Sequence, residues 1–475
     1  MADSELIWLS IAEAAALIAK RRLSPVELTE AVLRRIEELN PRHNAFLTVV
    51  ADQARADARR AEKAIRGGRY RGPLHGIPIA LKDNIWTRGI RTTAGSKVLR
   101  DFAPAEDATV VRRLRQAGAI LIGKTNLHEF AYGVTTVNPY YGATRNPWDT
   151  TRIAGGSSGG SAAALASGMC AGSAGTDTGG SVRIPAAVCN VVGLKPTFGR
   201  VSCHGTVPLA PSFDHVGPMA RTVTDVAILL EAIAGRDALD ATTAREPVPD
   251  FARGLRSVAG KKIKLCLGRP REYFFDRVDG EIRKTVDAAA RQFEKLGAKI
   301  EEVSLPHVAD SVDPSTQIAL AEARMVHENA GYFPARAAEY SEETRKRLEM
   351  GADVRAVDYL QALEFRKVVR ADFEAAFARV DAILTPATAI AAPIIGEARI
   401  KVGGQEEDVR MALLRMNRPA NFTGLPAISV PCGFTQSGLP IGLQLVGGAF
   451  EEARLLQIAF WYEQATAWHT RHPAA

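Results

Sequence analysis

The sequence predicts an α/β fold in which one large β-sheet is covered by helices on both faces, and three observations carry that prediction. From His75 onward, short apolar runs alternate with helical patterns, and unbroken apolar strands are the mark of a sheet buried on both sides. Strand-like runs occur in both halves of the 475 residues, so the sheet draws on the whole chain. The one linker-like stretch, "REPVPDFARG" at 245–254, is too short and too apolar in its surroundings to divide the chain. A single domain over 1–475 is expected, with a helical cover over about 1–70.

In that cover, 11–40 read as two helices, the second opening at Ser24-Pro25-Val26-Glu27, a capping box with proline at the first helical position. A strand at 46–50 leads into an alanine- and arginine-rich helix that runs to 65 and closes at Gly67-Gly68. Then come the run "GIPIALKDN", a helix at 109–117 and the strand "AILIGKT" at 119–125. Later strands are expected at 191–194, 262–267, 382–384, 427–430 and 441–446. Helices are expected at 223–234, 280–296, 317–328, 356–377 and 452–465.

Composition excludes several classes. At 46% hydrophobic and 24% charged, the chain reads as an ordinary soluble globular protein. Its 60 Lys and Arg against 53 Asp and Glu give +7, spread thinly. Local concentrations such as "RRLRQ" fall inside helical patterns and read as solvated faces, not a nucleic-acid patch. The 5 cysteines are odd in number and lack a C-x-x-C pair, which argues against a disulfide framework and a zinc site. No signal-peptide pattern or membrane-length apolar run is present, so a cytoplasmic protein is expected.

The chemistry concentrates in the Gly/Ser/Ala-rich segment 154–181, with "GGSSGG" around Ser157 and "TDTGGS" ending at Ser181. Gly155 and Gly160 have the spacing of a phosphate loop, but Ser161 stands where that loop needs lysine. Gly156-Ser157-Ser158-Gly159-Gly160 formally fits a nucleophile elbow centred on Ser158, although "TTRIAGG" before it reads as a loop, not a strand. A third reading pairs Ser157 with Ser181. His204 and His215 are candidate bases, and so is Lys82, which closes the apolar run from Ile77 and would lose its proton if desolvated. His128-Glu129 begins like a zinc-protease helix, but Tyr132 replaces the second histidine. No metal and no cofactor are expected.

The motifs "GIPIALKDN", "GGSSGGSAAA", "GTDTGGSVRIPAA" and "GLKPT", in this order, resemble the amidase signature family over nearly the whole chain. The resemblance implies a single large mixed α/β sheet core and a Ser-cisSer-Lys triad. Matched motif by motif, the nucleophile is Ser181, the bridging serine is Ser157 and the base is Lys82. It also implies an oxyanion hole of the N–H groups of Thr178, Gly179, Gly180 and Ser181, with Thr176 and Asp177 bracing the loop. Arg183 is expected in an ion pair under the loop, with a carboxylate clamp as the alternative.

The family contains broad amide hydrolases and the glutaminase subunit of a tRNA-dependent amidotransferase. The glutaminase needs an acid for the substrate α-amino group, and the corresponding stretch "MALLRMNRPANFTGLP" offers Met411, Leu413, Leu414 and Met416 with no Asp or Glu. Arg347 is a candidate for its carboxylate-binding arginine. His128, Phe130 and Tyr132 are expected to wall a pocket for an apolar or aryl acyl group. The expectation is therefore an amidase releasing carboxylate and ammonia or amine, with esters as a side activity; the alternative is the glutaminase subunit. The expected partners are a small-molecule amide substrate and at most a homodimer, with no nucleic acid and no membrane.

Overall fold

Eleven strands form one sheet in the computed structural model, which describes residues 2–261 and 264–474. In chain order they are β1 (Phe46–Val49), β2 (Pro78–Lys82), β3 (Ile120–Thr125), β4 (Gly172–Asp177), β5 (Val192–Lys195), β6 (His215–Ala220), β7 (Cys266–Pro270), β8 (Lys299–Val303), β9 (Ala382–Pro386), β10 (Ala427–Phe434) and β11 (Pro440–Val446). Their spatial order is β1-β3-β2-β4-β6-β5-β10-β11-β9-β7-β8. The sheet is mixed: β3, β2 and β4 run parallel, as do β9, β7 and β8, while the strands between them pair antiparallel.

The parallel pairing of β2 with β4, with Leu81 opposite Ala174, decides where chemistry can occur. It brings the carboxyl ends of both strands, Lys82 and Thr176-Asp177, to the same edge, the usual ligand-binding end of a parallel sheet. Helices Gly159–Ala166 and Arg183–Cys189 start beside that edge, and every residue of both is buried. No polar face is available to either, which explains the alanine-rich sequence of the first.

The N-terminal cover has the expected parts: helices Ile11–Ala19, Pro25–His43 and Ala51–Arg66 around β1. Ser24 caps the second through Val26 N at 3.0 Å, and Glu27 reaches back to the Ser24 backbone N–H at 3.2 Å, closing the capping box. Among the described residues, no helix is long and apolar enough to cross a membrane.

Strands β4 and β6 depart from expectation. Their sequences "GSAGTD" and "HVGPMA" carry too few β-branched residues to signal a strand, yet they lie in the middle of the sheet. The stretch "TTRIAGG" is not simply a loop, because Asp149–Ile153 pairs with Arg145–Asn146 as a small hairpin. The strand expected at 262–267 begins only at Cys266, and residues 262 and 263 lie outside the described residues. Residues 245–254 run into the helix Phe251–Val258.

Candidate active site

Lys82 ends β2 with a side chain that has no solvent exposure. Its Nζ lies 2.7 Å from Ser157 Oγ and 2.7 Å from Thr176 Oγ1. Among the described residues no carboxylate pairs with it, and burial pushes its pKa down to about 7, against the weaker fields of Asp177 and Asp214. Asn84 donates to Thr176 Oγ1 at 3.1 Å and so fixes that hydroxyl.

The Gly156–Ser157 peptide is cis. A Cβ on Gly156 would stand 2.7 Å from Thr135 N and 2.8 Å from Thr136 N, so only glycine lets this turn lie against the neighbouring chain. Ser158, the centre of the formal elbow motif, turns its hydroxyl to Thr176 O at 3.3 Å, away from Lys82. Its backbone N–H donates to Ser181 O at 3.2 Å, which ties the two glycine-serine clusters together. Among the described residues no hydrogen bond joins the Ser157 and Ser181 hydroxyls; such contacts often tighten only when substrate is bound.

Below the Ser181 loop lies a closed cluster. The guanidinium of Arg183, with no exposure, donates to Asp177 at 2.9 and 3.1 Å, to Asn421 Oδ1 at 2.6 Å, to Gln444 Oε1 at 2.7 Å and to Asn417 O at 3.0 Å. Burial works against the Asp177 carboxylate, but Arg183 and Asn421 hold its pKa below the usual range. Every guanidinium nitrogen is engaged, so Arg183 has no free edge for a substrate carboxylate.

Asp177 also accepts from Gly180 N at 2.8 Å and Val182 N at 3.1 Å. This corrects the expected oxyanion hole: the Gly180 N–H is committed to Asp177. Among the described residues, the N–H groups of Thr178, Gly179 and Ser181 donate to no protein acceptor and remain available. Gly180 serves instead through its backbone, at φ +121°, where a side chain is strained and a Cβ would meet Asn417 Cβ at 2.5 Å. Thr178 Oγ1 donates to Asp214 at 2.6 Å, a carboxyl that burial pushes up to about 6.

Neither histidine candidate reaches Ser181. His215 Nδ1 lies 2.6 Å from Phe213 O and its Nε2 lies 3.1 Å from Lys195 Nζ; His204 faces Glu106 at 3.4 Å.

The cavity in front of Ser181 differs from the expected pocket. Tyr132 lines it, together with Thr178, Gly179, Leu414, Arg410 and Arg418. Phe130 does not: its ring packs 4.4 Å from that of His327 and 5.4 Å from that of Tyr340, in a separate apolar cluster. His128 also lies outside the lining, with its Nε2 3.5 Å from Glu343. The pocket is not the apolar or aryl site expected, because Arg410 and Arg418 line it with Leu414 between them. Their spacing of four residues is the signal that could have found them. A larger groove among the N-terminal helices, lined by Arg22, Ser24, Glu62 and Arg66, contains none of the proposed triad.

The fold and the comparisons with known proteins define the class as an amide hydrolase. A family model described as Amidase matches residues 27–456, and the chain belongs to the amidase family. The GatA-type chain of the glutamyl-tRNA(Gln) amidotransferase of Moorella thermoacetica is 44% identical over 492 residues, covering 99% of each chain. A solved structure described as a vestigial protein complex that reveals the origins of an s-triazine catabolic enzyme has a TM-score of 0.90 at 37% identity, over 96% of this chain and 98% of that one. The corresponding amidotransferase chain from Thermotoga maritima has a TM-score of 0.77 at 36% identity, over 96% and 94%.

These relatives correct the expected partners. A small-molecule amide substrate, no nucleic acid and at most a homodimer are the expectation, but full-length relatives are named as one subunit of an enzyme of glutamyl-tRNA(Gln). Composition could not reveal this, because one chain of a complex can meet a tRNA-carrying assembly without a basic patch of its own.

Proposed function

We propose that the chain is the ammonia-releasing amidase subunit of an amidotransferase-type assembly, cutting a carboxamide C–N bond through an acyl-enzyme on Ser181. The observation that carries this reading is the Lys82–Ser157 contact of 2.7 Å, made by a lysine with no exposure and no acidic partner among the described residues. The relatives named as amidotransferase subunits support the assembly.

Neutral Lys82 accepts a proton from Ser157, Ser157 accepts one from Ser181, and Ser181 Oγ attacks the amide carbon. The tetrahedral oxyanion is met by the N–H groups of Thr178, Gly179 and Ser181. Ser157 then returns a proton to the leaving nitrogen, ammonia departs, and water hydrolyses the acyl-enzyme by the same relay. Esters enter the same intermediate through an easier leaving group.

The full chain is assayed for ammonia release, alone and with the remaining subunits of a glutamyl-tRNA(Gln) amidotransferase, using hydroxylamine to trap the acyl group as a hydroxamate. The expected result is hydroxamate from the native chain, none from Ser181→Ala, and a higher rate with the partner subunits. Hydroxamate from Ser181→Ala overturns the nucleophile; a rate indifferent to the partners overturns the assignment to an assembly.

A further inference from the structure

Two cations in the cavity before Ser181 have no anion among the described residues. Arg410, near the start of helix Val409–Leu414, and Arg418, at the start of helix Arg418–Thr423, both line it. Among the described residues Arg410 makes no hydrogen bond or ion pair, and its Nε is buried without a partner. Arg418 donates there only to Thr316 Oγ1, at 2.8 Å. Its Nε lies 3.8 Å from where a Cβ on Gly179 would stand, next to the proposed oxyanion donors.

Buried guanidinium groups are ordinarily paired, as Arg183 is beneath the Ser181 loop. Here the surroundings add repulsion. Burial first, then the fields of Arg347 and Arg418, push the Arg410 pKa down to about 9, so the group keeps its charge at neutral pH. Arg347 donates to Tyr132 O and to Glu343. Glu343 is in turn held by His128 and Arg347, which keep its carboxylate below the usual range against the effect of burial. No Asp or Glu is among the residues that line the cavity, and Leu414 stands between the two arginines.

We propose that the amide cut at Ser181 has an acyl part carrying a carboxylate and no ammonium group, and that Arg410 and Arg418 bind this carboxylate. The monoamide of a short dicarboxylic acid fits: the carboxylate supplies the missing anion while the carboxamide carbon meets Ser181 Oγ. Water and the monoamide give the dicarboxylate and ammonia, and the product is released from the same arginine pair. An α-ammonium, as in glutamine, would meet like charge with no acid to hold it. The inference rests on Ser181 as nucleophile, and it identifies the ammonia donor of the proposed assembly.

The test measures kcat/KM of the full chain, with and without the partner subunits, on succinamate and glutaramate, on neutral butanamide and pentanamide, and on glutamine. The native chain is expected to prefer glutaramate or succinamate to the neutral amides by about 10- to 100-fold, the range of a charge-assisted hydrogen-bonded contact. Glutarate is expected to inhibit competitively, and less at high salt. Arg410→Gln and Arg418→Gln are each expected to lower the ratio of anionic to neutral turnover, chiefly through KM.

Equal or better turnover of glutamine or the neutral amides by the native chain overturns the inference without any variant. So does an unchanged anionic-to-neutral ratio in both arginine variants. Hydroxamate formation that survives Ser181→Ala would instead overturn the reading of the site on which the inference rests.

Discussion

Thr176 and Asp177 are adjacent at the end of β4, and each faces a buried cation. Thr176 meets Lys82 and Asp177 meets Arg183, neither of which has any exposure. On one side the cation has a carboxylate, two amides and a backbone carbonyl; it is a fixed charge that holds the loop. On the other it has only hydroxyls within 3 Å, and burial brings it to about 7. A buried cation with an anion is architecture, and one without an anion can exchange its proton. Lys124, next to Lys82 across the β2–β3 pair, lies between these cases: Asp83 stands 3.5 Å away, and its pKa falls only to about 8.

The largest effect should come from removing the exchangeable side. Lys82→Met is expected to lower kcat by about 100- to 10,000-fold with an unchanged unfolding curve, measured by ammonia release and urea denaturation. Removing the fixed side should do the reverse. Asp177→Asn strands Arg183 without its anion and is expected to destabilise the fold by about 3–5 kcal/mol, measured by the same denaturation.

A third variant makes the two sides alike. Lys82 acts as a base only when deprotonated, so kcat/KM should fall about tenfold per pH unit below 7 and level off above it. Thr176→Asp gives the lysine an anion, which favours its charged form, and should move this limb upward by about 1–3 pH units. A limb that stays in place would mean that the titrating group is not Lys82. The smallest effect is expected from Thr176→Val, which deletes one hydroxyl contact and should cost about 0.5–1.5 kcal/mol in denaturation, with the pH limb nearly unmoved.

Much of this is legible in the residues alone. The apolar run ending at Lys82 marks a lysine with nowhere to place its charge, and the motif match separates Ser157 from Ser158. Strands β4 and β6 are not legible, because glycine, serine and proline suit a crowded sheet centre while giving no strand signal. The commitment of the Gly180 N–H to Asp177 is hidden as well, since only the closed loop reveals which donors remain. The arginines of the cavity escape notice for another reason: the stretch after Arg410 is conspicuous for lacking an acid, and that absence draws attention away from the cations at either end of it.

The strand ends that gather the site come from distant parts of the chain. Lys82, Ser157 and Ser181 belong to one stretch of about 100 residues that runs through β2 and β4, whereas Tyr132 is joined in the cavity by Arg410, Leu414 and Arg418 from beyond β9. Reactivity and selectivity are therefore inherited separately. Substitutions in the C-terminal third can retune which amide is accepted without touching the proton relay, and one scaffold can serve lineages as different as a tRNA amidotransferase and an s-triazine catabolic enzyme.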